Sequence, residues 1–126
     1  MQVIENYKRA LESSDEQGLR DVFASQVRIE VPAGASLTPS VDQASHIMSR
    51  VARTAPGIRC TVTADAGNSW YFLGFDGEID GEKLQAIDHV HLNGDGKIDH
   101  LIIYMRPIPA AQKFANAIGQ RLQPTK

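Results

Sequence analysis

From residue 58 onward the apolar residues of this chain recur at every second position, over four segments at 58–64, 68–79, 82–92 and 97–106. The breaks between them carry turn signals: Asp80-Gly81 reads as a two-residue hairpin turn and Asn93-Gly94-Asp95-Gly96 as a longer hairpin loop. Such a run buries its apolar residues as an antiparallel meander with one face laid against another layer. That layer is written upstream. Val3, Ile4, Tyr7, Ala10 and Leu11 recur at helical spacing, and Ser14 with Gln17 resembles a capping box ahead of a short helix carrying Leu19, Val22 and Phe23. Val27, Ile29 and Val31 then alternate with Arg28 and Glu30, a strand stopped by Pro32 and the loop AGASLTPS. Ser40 and Gln43 repeat the capping pattern before a helix with the stripe Ala44, Ile47, Met48 and Val51, which Pro56-Gly57 ends. Beyond Pro107 and Pro109, the residues Ala110, Ala111, Phe114, Ala115, Ile118 and Leu122 predict a C-terminal helix. The expected class is α+β, one domain over residues 1–126, in which helices pack on one face of a curved antiparallel sheet.

One residue breaks the pattern. In the segment at 82–92 the set Leu84, Ala86, Asp88, Val90 and Leu92 faces one side and is apolar except for Asp88. A buried carboxylate without a partner costs several kcal/mol, so Asp88 must reach a partner or water, or be held neutral. The Asp80-Gly81 turn sets Asp88 opposite Leu73, Phe75 opposite Ala86 and Tyr71 opposite Val90. Pairing across Asn93-Gly96 puts Leu101 opposite Asp88, Ile103 opposite Ala86 and Met105 opposite Leu84. On this pattern alone Asp88 is either a satisfied structural carboxyl group or one whose perturbed acidity is used. The opposite face carries Trp70, Phe72, Ile87, Ile102 and Tyr104 among His89, His91, His100 and Arg106. It is more apolar than a solvated face requires, and a homodimer contact is expected there.

The formal charge of −2, with 13 Lys and Arg scattered along the chain, gives no basic field for nucleic acid. Cys60 is the only cysteine, which excludes an intrachain disulfide, and nothing in its neighbourhood activates it as a nucleophile. The N-terminal stretch MQVIENYKRAL has no signal-peptide apolar core and no apolar run reaches membrane-spanning length, so a cytoplasmic protein without a membrane partner is expected. The segment NGDGKID mimics the start of a calcium loop, but its first ligand position is His91 and its twelfth is Ile102, so the hairpin reading stands. His89 and His100 are candidate cross-strand neighbours without a third ligand, and neither a metal nor a cofactor is expected.

The segment IDHVHLNGDGKI, together with the gap-free stretch from NYKRAL through Phe23 to IEVPAGAS, resembles the bacterial ketosteroid isomerase (steroid Δ-isomerase) family of the nuclear-transport-factor-2-like, or SnoaL-like, superfamily. The resemblance covers residues 4–36 and 84–98, is weak over 40–79 and stops after 106. It implies a cystatin-like cone of curved antiparallel sheet closed by N-terminal helices around a deep apolar pocket, to which this chain adds its C-terminal helix. It also implies that Tyr7 and Asp88 together hydrogen-bond a ketone oxygen as it becomes an enolate, the acid being kept neutral by its apolar site. The family's general base, an aspartate, falls on Val31. Glu30 beside it has the opposite strand parity and reaches the pocket only if a bulge rotates it. His46 lies on no pocket face, and Met48 stands near a further pocket tyrosine of the family. A hydrophobic small molecule is expected among Val31, Met48, Leu73, Phe75 and Ala86, with Val90, Leu101, Ile103 and Met105 completing the wall. The expected function is oxyanion stabilisation on a hydrophobic carbonyl compound. The alternatives are a non-catalytic binding domain on the same fold, or a polyketide cyclase or dehydratase; the Asp-Arg-Asp pattern of the epoxide hydrolases is not found on the inward faces.

Overall fold

The computed structural model describes residues 2–32, 34 and 36–122, with the backbone alone at 118–122. Its elements are α1 (Gln2–Ser13), α2 (Glu16–Val22), β1 (Phe23–Glu30), β2 (Ser36–Leu37), α3 (Val41–Thr54), β3 (Arg59–Gly67), β4 (Trp70–Ile79), β5 (Glu82–Leu92), β6 (Ile98–Arg106) and α4 (Ile108–Leu122). The six strands form one sheet in the order β2-β1-β6-β5-β4-β3. β3 to β6 make the expected antiparallel meander, but β1 joins it parallel to β6, so the sheet is mixed. Between β1 and the meander lie β2 and the single helix α3, and with the three strands β3 to β5 they route the chain so that β6 lies beside β1 in the same direction.

Helix α1 buries Ile4, Tyr7, Ala10 and Leu11, the stripe read from the sequence. Ser14 ends it in the left-handed conformation at φ 54°. A residue so placed cannot cap the next helix, because an N-cap is extended; Asp15 does it instead, accepting the Gly18 N–H at 3.0 Å. A β-carbon at position 18 would stand 2.8 Å from that carboxylate, so glycine keeps the cap in place. The expected capping pair of Ser14 and Gln17 is thus displaced by one residue. Phe23, expected on α2, opens β1, where its buried ring lies 6.1 Å from that of Tyr7. Helix α3 begins with the full Ser40–Gln43 capping box and buries Ala44, Ile47, Met48 and Val51. The side chains of Ile118 and Leu122, assigned to the apolar stripe of α4, lie outside the described residues, as do Ala33 and Ala35 of the AGASLTPS loop.

The Asp80-Gly81 turn, with both residues at positive φ, sets the expected β4–β5 register: Asp88 opposite Leu73, Ala86 opposite Phe75 and Val90 opposite Tyr71. The β5–β6 register differs by two residues from the one expected. Asp88 stands opposite Ile103, Val90 opposite Leu101 and Ala86 opposite Met105. Two local features cause this. The loop takes five residues because Asn93 N–H bonds to Lys97 O, and Asp99 is bulged out between the pairs His91–His100 and Leu92–Ile98. One residue in the loop plus one in the bulge is an even slip, so every side chain keeps its face. The inner face, covered by α1, α3 and α4, carries the core.

Candidate functional site

Asp88 sits at the middle of β5, a central strand, between Leu73 and Ile103 on the inner face. It is 4% exposed, and among the described residues it is the only buried charged side chain. Its partner comes from the other end of the chain. Tyr7, fully buried in the middle of α1, donates its hydroxyl proton to Asp88 Oδ2 at 2.7 Å across 81 residues of sequence. Both groups are perturbed by that setting. Burial penalises the carboxylate and lifts the Asp88 pKa to about 7, against a smaller lowering by the Tyr7 hydrogen bond. Burial, the Asp88 charge and the bond to it, with a contribution from Cys60, push the Tyr7 phenol well above its usual value. Near neutral pH the pair therefore holds a firmly protonated phenol against a carboxyl group able to gain or lose a proton.

Beside Asp88 lies a narrow cavity of about 30 Å³, lined by that carboxyl group and otherwise by apolar side chains. Of the nine residues assigned to the pocket wall, Met48, Phe75, Ala86, Ile103 and Met105 line it. Val31, Leu73, Val90 and Leu101 are buried in the adjoining core without reaching the cavity. The sequence reading missed Leu11 and Val51, though both stood in its helical stripes, and Leu84, which stood in its strand set. It also missed Ala52 and Ala55, which have no periodic signal of that kind, Ile58, which opened its first alternating segment, and Phe114 of its C-terminal helical stripe. Larger clefts, one of about 600 Å³ lined by Pro56, Asp76, Lys83 and Arg106 among others, are open surface features that Asp88 does not line.

The position of the family's base is hydrocarbon: Val31 follows the end of β1 and is 7% exposed. Glu30 points to the other face, where its carboxylate pairs with His100 Nε2 at 2.7 Å. His46 is exposed, 3.4 Å from Glu16. The outer face gathers the histidines around Trp70, whose ring lies 4.2 Å from His89, 4.8 Å from His91 and 5.3 Å from His100. The directly paired imidazoles are those of His91 and His100, whereas His89 faces Ile102, a consequence of the same two-residue slip. On its other side His89 stacks on its β4 partner Phe72 at 4.3 Å. Burial and the His100 charge hold His89 below its usual pKa. His91 Nδ1 pairs with Asp99 at 2.7 Å. Among the described residues no three His, Cys, Asp or Glu side chains converge as a metal site, and no helix is long and apolar enough to cross a membrane.

A curved six-stranded mixed sheet covered on one face by helices is an α+β architecture of the cystatin-like kind. No protein-family model matches the chain, and no curated protein matches its sequence. Solved structures do match. An uncharacterised bacterial protein with a cystatin-like fold from Silicibacter pomeroyi superposes with a TM-score of 0.86 at 20% identity, over 94% of this chain and 84% of its own. A steroid delta-isomerase from Pseudomonas aeruginosa gives 0.82 at 20% identity, over 95% and 88%. An epoxide hydrolase/cyclase-like enzyme of pyran ring formation in polyether salinomycin gives 0.68 at 14% identity, over 83% and 88%. The fold is thus that of the nuclear-transport-factor-2-like, cystatin-like proteins. At these identities the likeness establishes the fold and leaves the reaction to the site.

Proposed function

We propose that the protein binds a hydrophobic carbonyl compound in the ketosteroid-isomerase manner, Asp88 and Tyr7 together stabilising negative charge on the ligand's oxygen. The observation that carries this reading is the 2.7 Å hydrogen bond between two buried groups, of which Asp88, an acid with a pKa of about 7, lines an apolar cavity and Tyr7 stands behind it. A neutral Asp88 accepts the Tyr7 proton at Oδ2 and offers its own proton from Oδ1 to a ligand oxygen. With water excluded, such a donor is worth more than in solution, typically about 10²–10³-fold in rate where charge develops. The full isomerase cycle also needs a base to carry the proton between carbons, typically worth about 10²–10⁴-fold. Val31 offers none, and Glu30 is engaged by His100 on the other face. Oxyanion binding with little isomerisation is the outcome.

A second reading is favoured by the same acid: a carboxyl group poised near neutrality takes and gives a proton by itself, as a cyclase or dehydratase requires, with Tyr7 orienting it. One experiment separates the readings. The protein is titrated with a phenolic steroid and with 2-naphthol, and a Δ5-3-ketosteroid isomerisation assay is run in parallel. Binding lost in Tyr7→Phe and Asp88→Leu, with negligible turnover, supports the first. Phenol binding that ignores both substitutions removes it.

The outer face is proposed as the contact with a second copy of the chain. Val62, Ile87 and Tyr104, 59%, 46% and 53% exposed, share one cross-strand row with Gly74, whose missing side chain leaves a notch among apolar neighbours. Ridge and notch on one patch suit a two-fold, self-complementary interface. Sedimentation of the wild type as a dimer, and of Ile87→Glu as a monomer, is the expected result; a monomeric wild type at tens of micromolar, a range typical of weak association, removes the proposal.

A further inference from the structure

About 30 Å³ is room for one or two water molecules, yet the wall around it is built for an organic molecule: one carboxyl group among apolar side chains. The element that narrows it is α4. This helix packs against α3 and against β4, β5 and β6, and places Phe114 in the cavity wall together with Asp88. Among its described side chains the other footings are slight: Ala110 is buried and Ala117 partly so, Ile108 at its start is 83% exposed, and a half-buried Lys113 bonds to Asp80 O at 3.3 Å. Among those described side chains Phe114 is accordingly the largest buried apolar anchor of α4, and it is the aromatic plug of the site.

We propose that the ring of Phe114 occupies the seat of the ligand's own ring, so that α4 is displaced on binding and the ligand is a planar phenol, enol or cyclic enone. The inference rests on the reading of Asp88 as the polar anchor. The exchange has a physical driving force. A ligand ring in that seat replaces the apolar contacts of Phe114 one for another, and its oxygen adds a hydrogen bond to Asp88 that a phenylalanine ring cannot make. The rest of the wall suits a range of ring systems. Ala52, Ala55 and Ala86 contribute small side chains to it, and Met48 and Met105 contribute unbranched ones that repack around different shapes. With the seat occupied by its own phenylalanine, the protein binds more weakly by the fraction of molecules in which the seat is free.

The test uses the whole chain and 2-naphthol, with a phenolic steroid as the larger probe. Removing the plug in Phe114→Ala raises affinity for 2-naphthol roughly tenfold or more and raises that for the steroid further, and Phe114→Leu, the milder change, falls between it and the wild type. Hydrogen exchange on the wild type gives an independent readout: at saturating 2-naphthol the amides of residues 108–117 exchange faster while those of β5 exchange more slowly. Weaker binding in both Phe114 variants, with α4 protected by the probe, makes Phe114 a wall of the ligand's site and overturns the proposal. Unchanged affinity in both variants, with binding still abolished in Asp88→Leu, removes the plug and leaves the Asp88 reading intact. No binding by wild type or either variant removes both.

Discussion

Replacing Asp88 by asparagine tests whether the acid is held neutral by the fold. The unfolded chain releases this proton near 3.8 and the folded protein near 7. Between those values the folded state holds the proton and the unfolded state does not, so stability is full below pH 4 and falls as pH rises through 7. A shift of about 3 units at about 1.4 kcal/mol each amounts to roughly 4 kcal/mol lost by pH 8. Asparagine keeps the shape, stays neutral and still accepts the Tyr7 proton, so Asp88→Asn escapes the loss. The variant is expected to match the wild type near pH 3, to exceed it by about 1 kcal/mol at pH 4.5 and by up to about 4 kcal/mol at pH 8.5. Urea unfolding followed by circular dichroism across that range measures it, and the difference between the two proteins cancels every carboxylate that titrates alike in both. A difference that stays flat to within about 0.5 kcal/mol, the range of an ordinary surface substitution, would show that Asp88 ionises as in water and refute the argument from burial.

Because the Tyr7 hydrogen bond lowers the Asp88 pKa, Tyr7→Phe raises it further and moves the loss of stability to higher pH in the same unfolding series. Leu73, fully buried opposite Asp88, loses about 2–5 kcal/mol of stability as Leu73→Ala, read from the urea midpoint. Ser40→Ala opens the capping box of α3 at a cost of about 1 kcal/mol by the same measurement, and Ser40→Gly costs only a few tenths.

The parts of this fold that were legible before the structure are those set by neighbours along the chain. The inward set of β5 follows from two-residue alternation, the β4–β5 register from a turn whose two residues admit one geometry, and the start of α3 from Ser40 and Gln43 bonding each other's backbone. Where the reading slipped, a local competitor won. Ser14 gave up its capping position to end α1, Phe23 left helix for strand, and the bulge at Asp99 moved β6 along β5 by an amount no periodicity reports. The parallel pairing of β1 with β6 was beyond reach for a different reason: it depends on how α3 and the intervening strands route the chain between two strands distant in sequence.

The site divides along the same line. The sequence by itself put a carboxyl group on the apolar face of a central strand, since parity and residue type are local properties; that Val31 stands where a base is expected is what the family resemblance implies. Only the tertiary structure decided that the Tyr7 hydroxyl meets that carboxyl group at 2.7 Å, that Glu30 is spent on His100, and that Phe114 narrows the cavity to about 30 Å³. Those depend on distances between elements that approach through space, and such distances are set when the helices settle on the bent sheet rather than by any pattern along the chain.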